Sequence, residues 1–171
     1  SKTVTGIDFS GYRLINTGNN NIIEDCLGDA NTTGTTGNDR QWDIQGSNPT
    51  VRYCKIANPT PIGGTIMLSF NDATGACLVD HCDLRDLAAS DGIAGPDVGG
   101  GANTLTIIDT LHKGIHLSVG SHIDAVDLRG AAPGSKIRRL RSVGDKTTTS
   151  AAAGGGTGYT NVFHDLRTDR H

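Results

Sequence analysis

The composition of this chain limits both its architecture and its partners. Its 171 residues are enough for one domain with its own core, but 24 glycines and only 4% aromatic residues require many turns and a core of small aliphatic side chains. It has no run of about 18 apolar residues, so we expect no membrane insertion. Residues 1–128 carry 7 Lys and Arg against 15 Asp and Glu, and residues 129–171 carry 8 against 3. The basic segment has few aromatic residues, so we expect no nucleic-acid binding. The chain starts at Ser1, and we expect residues 1–171 to be a single domain, with a longer parent chain left open.

A short phrase containing cysteine returns along the first half of the chain. It reads IIEDCL, then VRYCKI and then LVDHCDL, and its cysteines are 28 residues apart. A β-branched residue three positions before each cysteine keeps the same step, and both columns continue for one more repeat. The two columns consist of Ile23, Cys26, Val51, Cys54, Val79, Cys82, Ile107 and Thr110. Weaker copies of the phrase begin at Val4, Ile137 and Val162, so the repeat extends over nearly the whole chain.

Further short apolar runs lie between the copies, at 42–44, 66–70, 92–94 and 114–119. Gly, Asn, Pro and Asp separate these runs, and no segment of helical length carries an apolar stripe with a 3.6-residue period. Short strands with a repeat of this length predict an all-β solenoid, in which each turn of the chain pairs its strands with those of the turn before.

The repeated phrase, aliphatic-x-x-Cys-x-aliphatic, is preceded by Asn-rich turns such as Asn19-Asn20-Asn21 and Asn48-Pro49. It resembles the right-handed parallel β-helix family, which has the pectin-lyase-like fold. The resemblance covers essentially the whole chain and implies a right-handed, single-stranded parallel β-helix of roughly six or seven rungs. That family includes polysaccharide lyases and hydrolases as well as bacteriophage tailspikes and fibre proteins, so the resemblance specifies architecture far better than function.

The cysteine columns could serve chemistry or packing. Three equivalent cysteines cannot pair among themselves without leaving one over, and side chains in register point the same way, which is poor disulfide geometry. No Cys-x-x-Cys pair is present to suggest a metal site. A buried free cysteine behaves as a small apolar side chain, so we interpret the columns as a structural core stack.

Candidate catalytic residues come from the densest acidic segment, at 80–97. If the protein is an enzyme, we expect Asp80, Asp83 and Asp91 to supply the acid and the base, and a lyase could also hold Ca²⁺ there. The structural alternative is that these residues cap turns. The Asp-Asp, Gly-His-Gly and Arg-Ile-Lys motifs typical of the related hydrolases are absent from the sequence.

His81 belongs to a second periodic position, two residues after the aliphatic anchor. Asp25, Tyr53, Asp109 and His164 occupy the same position in other repeats. A position that accepts such different side chains indicates a column facing a turn, and not a set of metal ligands.

Two functions of different classes follow. The first is a structural and adhesive module of a virion, a phage tail spike or fibre component, with a virion or extracellular location. Its expected partners are further copies of itself, other virion proteins or a host glycan, bound through Trp42, Arg138, Arg139 and Arg141. The alternative is a polysaccharide lyase or glycoside hydrolase with its site at 80–97. The sequence predicts no cofactor and no metal site, apart from Ca²⁺ under this alternative.

Overall fold

The computed structural model describes residues 1–29, 40–57, 66–85, 92–96, 103–115, 124–127, 134–144 and 161–164. All regular elements within these ranges are strands, which confirms the all-β prediction. Among the described residues no helix has the length and hydropathy needed to cross a membrane.

Nineteen strands are defined in the described part of the chain. In chain order they are β1 (Thr3–Thr5), β2 (Leu14–Asn16), β3 (Ile22–Glu24), β4 (Leu27–Asp29), β5 (Arg40–Ile44), β6 (Gly46–Ser47), β7 (Thr50–Arg52), β8 (Lys55–Ala57), β9 (Ile66–Ser69), β10 (Ala73–Thr74), β11 (Ala76–Asp80), β12 (Asp83–Arg85), β13 (Ile93–Ala94), β14 (Thr104–Ile108), β15 (Leu111–Ile115), β16 (Asp124–Asp127), β17 (Lys136–Arg138), β18 (Arg141–Gly144) and β19 (Asn161–His164).

These strands form three main parallel sheets, which the chain visits in rotation. Sheet A has the spatial order β1-β3-β7-β11-β14-β17, sheet B the order β4-β8-β12-β15-β18, and sheet C the order β2-β5-β9-β13-β16-β19. The short strands β6 and β10 form a separate parallel pair. Each visit to sheet A is followed by sheet B and then sheet C, with Asp8 bridging to Leu27 where the first strand of sheet B would lie. This topology is compatible with a parallel β-solenoid.

The register of sheet A follows the 28-residue repeat. Val51 pairs with Ile23 on one side and with Val79 on the other, and Val79 pairs with Ile107. All four side chains are buried. Val4 and Ile137 extend the same column at its two ends. Val162 does not, because its strand, β19, pairs with β16 in sheet C. The expectation that Val162 marks another copy of the anchor is therefore wrong.

Three of the cysteines, Cys26, Cys54 and Cys82, lie immediately after the chain leaves sheet A, whereas Cys77 lies within β11 of that sheet. Cys26, Cys54, Cys77 and Cys82 are buried free thiols. The Sγ of Cys54 donates to the carbonyl of Ile23 at 3.6 Å, and the Sγ of Cys82 donates to that of Val51 at 3.6 Å. Each of these thiols therefore bonds to the anchor residue of the preceding turn. Burial raises the pKa of Cys77 to about 12, so that thiol is protonated at neutral pH.

Asparagines form the corner between sheet C and sheet A. Asn20 and Asn48 have φ of 52° and 49°, in the left-handed region that Asn tolerates better than most residues. The Nδ2 of Asn48 donates to Oδ1 of Asn20 at 3.1 Å, and the backbone N–H of Ala76 donates to Oδ1 of Asn48 at 2.9 Å. Gly75 follows in the next turn, where a Cβ would lie 2.3 Å from Oδ1 of Asn48. The Asn-rich turns of the sequence thus link successive rungs.

Candidate functional site

A second corner, between sheets A and B, presents acidic, basic and aromatic side chains. One residue per turn adopts a left-handed backbone here, which redirects the chain from sheet A into sheet B. We call this column the A–B corner; it consists of Asp25, Tyr53, His81, Asp109 and Arg139, with φ of 52°, 55°, 52°, 48° and 53°. Gly6 takes the same position at the start of the chain, with φ of 68°. The predicted turn-facing column exists at Asp25, Tyr53, His81 and Asp109, and Arg139 extends it, whereas His164 lies on β19 in sheet C.

The side chains of the A–B corner touch from one turn to the next. The rings of Tyr53 and His81 have centroids 5.2 Å apart and planes inclined by 35°. Arg139 holds Asp109 in a two-bond fork, with Nη2 donating to Oδ2 at 2.7 Å and Nε donating to Oδ1. Between these pairs, Nε2 of His81 lies 3.7 Å from Oδ2 of Asp109. Four consecutive turns are thus connected along one edge of the molecule.

Asp80 joins this edge from the last position of β11. Its Oδ1 lies 2.6 Å from Nδ1 of His81, within hydrogen-bonding distance. One strand earlier in sheet A, Nε of Arg52 donates to Oε2 of Glu24 at 2.7 Å. Charges of both signs therefore lie beside the two stacked rings.

The Arg139 fork also acts on the titration of Asp109. The hydrogen bonds from Arg139 lower the pKa of this carboxyl group, and the nearby positive charge acts in the same direction. Asp109 is consequently an anion at neutral pH.

Asp83, the other predicted catalytic residue within the described ranges, has different partners. Asp83 begins β12 on sheet B, where Nη2 of Arg85 donates to its Oδ2 at 2.6 Å and Nε of Arg85 reaches both of its oxygens. Asp91 lies outside the described residues. Of the two that the structure describes, Asp80 contacts the A–B corner and Asp83 pairs with Arg85 instead.

The predicted binding residues divide into one buried side chain and three exposed ones. Trp42 is only 1% exposed, with Phe9 packed edge-on at a centroid distance of 5.7 Å, so it offers no surface to a ligand. The expectation for Trp42 is therefore wrong. Arg138, Arg139 and Arg141 are exposed. Within the described part of the chain, an ion pair is formed by Arg139 and not by Arg138 or Arg141.

Sequence reasoning did not identify Tyr53 and Asp109 as members of a site. Their signal was the 28-residue step, which places Tyr53 and His81 in adjacent turns and Asp109 in the next. The step predicts that these residues are neighbours. The inclination of the two rings and the fork between Arg139 and Asp109 can be seen only in the three-dimensional structure.

Comparisons of this chain with protein-family models, with curated proteins and with solved structures found no match. A function has therefore to be inferred from the chain's own residues.

Proposed function

We propose that this chain is a right-handed, single-stranded parallel β-helix that acts as a structural and adhesive module of a virion, and that its A–B corner binds a glycan on the host surface. The rotation of the chain through three parallel sheets supports the β-helix. Right-handedness is supported by the strong preference of parallel crossover connections for that hand. A tail spike or fibre component is the type of virion protein that needs such a rigid rod with an exposed binding edge.

The observation that carries the glycan proposal is the exposed, stacked pair of Tyr53 and His81. Their side chains combine an apolar ring face with polar edges, the combination that suits a sugar ring with its C–H face and its hydroxyl groups. Tyr53 is 51% exposed and the His81 side chain is 49% exposed. Both rings are therefore accessible while being held against each other.

The neighbouring turns supply the polar contacts that such a ligand needs. Rungs of a parallel coil repeat at about 4.8 Å, a step comparable to the length of one sugar unit. A glycan running along the corner would therefore meet the Tyr53–His81 rings first and the Asp109–Arg139 fork next. The exposed side chains of Arg138 and Arg141, which are close to Arg139 in the sequence, favour a glycan that carries carboxylates.

A glycoside hydrolase is the second candidate, because the corner brings Asp80 and Asp109 close together. Ligand atoms of these carboxylates lie within 4.8 Å of each other, near the separation of about 5 Å between the carboxyl groups of retaining glycosidases. Such an enzyme also needs an acid with a raised pKa. Arg139 acts on Asp109 in the opposite direction, which favours binding over hydrolysis.

Titration of the purified protein with acidic and neutral oligosaccharides tests the binding proposal. Tyr53→Asn removes the ring but keeps a residue that tolerates the left-handed backbone. We expect roughly fivefold weaker binding, from the loss of about 1 kcal/mol of stacking. Tyr12→Asn is the matched control, because Tyr12 is 75% exposed in the first turn, away from the A–B corner. Absence of binding by the wild type, or equal effects of the two substitutions, would refute the proposal.

Incubation of the same glycans with the protein, with and without Ca²⁺, separates binding from cleavage. Under our proposal no reducing ends and no unsaturated sugars accumulate. Release of either product, abolished by Asp80→Asn or Asp109→Asn but kept in Asp83→Asn, would replace the adhesive function with the hydrolytic one. Recovery of the native protein with virus particles, and not in the soluble fraction, tests the virion assignment.

A further inference from the structure

The A–B corner also contains a group of donors suited to a metal ion. Asp80, His81 and Asp109 each offer a ligand atom, and these atoms lie within 4.8 Å of one another. One imidazole nitrogen with carboxylate oxygens is a ligand set that Zn²⁺ and neighbouring transition metals accept, whereas Ca²⁺ requires oxygens alone. The donors come from two adjacent turns of the coil, so strand pairing between β11 and β14 fixes their relative position.

The hydrogen bond from Asp80 determines which nitrogen of His81 can bind a metal. Because Oδ1 of Asp80 lies 2.6 Å from Nδ1, this carboxylate favours the tautomer that carries its proton on Nδ1. The lone pair is then on Nε2, the atom that faces Asp109. A carboxylate that fixes the tautomer and the orientation of a ligating histidine in this way is the usual companion of a protein metal site. The ring of Tyr53 further limits rotation of the imidazole.

The distance between the two facing atoms fits a bridging ion better than a direct bond. Nε2 of His81 and Oδ2 of Asp109 are 3.7 Å apart, which is too far for a hydrogen bond. Two ligands bonded to Zn²⁺ at about 2.0–2.1 Å with tetrahedral angles lie about 3.4 Å apart. A shift of a few tenths of an ångström would therefore bring both atoms into coordination.

We propose that Asp80, His81 and Asp109 form a binding site for a divalent transition metal ion, best matched by Zn²⁺. His81 and Asp109 are its protein ligands, Asp80 is the positioning residue, and water completes the coordination. Arg139 competes with the ion, because its fork already neutralises the carboxylate of Asp109. The metal site does not depend on glycan binding, since its ligands and its test involve no sugar.

Calorimetric titration of the untagged protein with ZnCl₂ at pH 7 is the first test. We expect one saturable site whose affinity falls at least tenfold in His81→Asn and in Asp109→Asn. Asn tolerates the left-handed backbone at both positions, and an unchanged circular dichroism spectrum would show that the fold is kept. Lack of saturable binding by the wild type, or undiminished affinity in His81→Asn, would overturn the proposal.

Arg139 provides a test that a nonspecific surface site would not pass. Arg139→Gln releases Asp109 and should raise the Zn²⁺ affinity severalfold. The matched control is Arg52→Gln, which releases Glu24 from a similar ion pair without a histidine in contact with it. Equal Zn²⁺ affinities in the wild type and Arg139→Gln, or an equal gain of affinity in Arg52→Gln, would show that Arg139 does not compete with the ion for Asp109.

Asp80 is tested by its effect on the imidazole. Nitrogen-15 spectra of wild-type His81 should show the proton on Nδ1, and Zn²⁺ should shift the Nε2 signal. In Asp80→Asn the tautomer preference should weaken, with a several-fold loss of affinity. Unchanged nitrogen signals on addition of Zn²⁺ would contradict ligation by His81.

Discussion

His112 is a buried polar residue whose side chain fits its apolar surroundings poorly. It occupies an inward position of β15, directly beside Leu84 of β12 in sheet B. Its side chain is buried, and neither ring nitrogen has a hydrogen-bond partner among the described residues. Burial alone lowers the pKa of His112 from 6.5 to about 4, so the ring is neutral at pH 7. A neutral imidazole without partners in a core costs about 1–3 kcal/mol of stability.

We expect His112→Leu to stabilise the protein and to remove part of its acid sensitivity. The unfolded chain binds the His112 proton more tightly than the folded chain. The wild type therefore loses folding stability as the pH falls from 6.5 towards 4, and above pH 6.5 His112 causes no such loss. At about 1.4 kcal/mol per pKa unit, the advantage of the variant should grow by about 3 kcal/mol between pH 7 and pH 4. Urea denaturation at a series of pH values measures it. Curves of stability against pH that run parallel for the wild type and His112→Leu would contradict the lowered pKa of His112.

The sequence could place His112 in the same column as Leu84 from the 28-residue step. That its ring lacks partners depends on the side chains across the coil, which no spacing reveals.

At the scale of the strands, Gly28 on β4 leaves room for the large side chain of Trp42 on β5. Gly28 lies inward on β4, in the register position that Ile56 and Leu84 fill in the next two turns. A Cβ on Gly28 would lie 2.4 Å from Nε1 of Trp42 on β5 and 2.8 Å from Cε2. The indole therefore occupies the space that an aliphatic side chain fills in the later turns.

This exchange of volume explains why the sequence was misleading about Trp42. An isolated aromatic residue in a β-helix suggests a sugar-binding platform, and only the complementary glycine indicates that the ring faces inward. The anchors Val51 and Val79 were predictable because an unchanging step keeps them in register. Val162 was not, because the repeat loses its constant length towards the end of the chain and the phrase then falls on a different sheet.

Gly28→Ala should destabilise the protein by about 1–3 kcal/mol, because the rigid indole of Trp42 cannot retreat from the added methyl group. In a Trp42→Leu background the same substitution should cost much less, since the smaller side chain leaves room for it. Denaturant unfolding followed by far-UV circular dichroism measures all four proteins of this double-mutant cycle. An equal cost of Gly28→Ala in both backgrounds would show that Trp42 is not the obstacle.

At the scale of the whole molecule, the strand pairs of the three main sheets join adjacent turns throughout the described ranges. A repeat structure of this kind draws its stability from contacts between neighbouring turns, so position along the coil matters as much as residue type. Val4 and Val51 occupy the same column of sheet A, but Val4 has one neighbour in the column and Val51 has two. Val4 is half-buried, whereas Val51 is fully buried.

We therefore expect Val51→Ala to lower the free energy of unfolding by about 2 kcal/mol, from the lost methyl groups and the cavity that they leave. Val4→Ala should cost less than half as much, because solvent already reaches that side chain and, within the described part of the chain, β1 pairs with β3 alone. Urea unfolding of both variants, followed by circular dichroism and by the fluorescence of Trp42, measures the difference. Equal losses would mean that the first turn is covered as completely as the third, and that stability does not depend on the number of neighbouring turns.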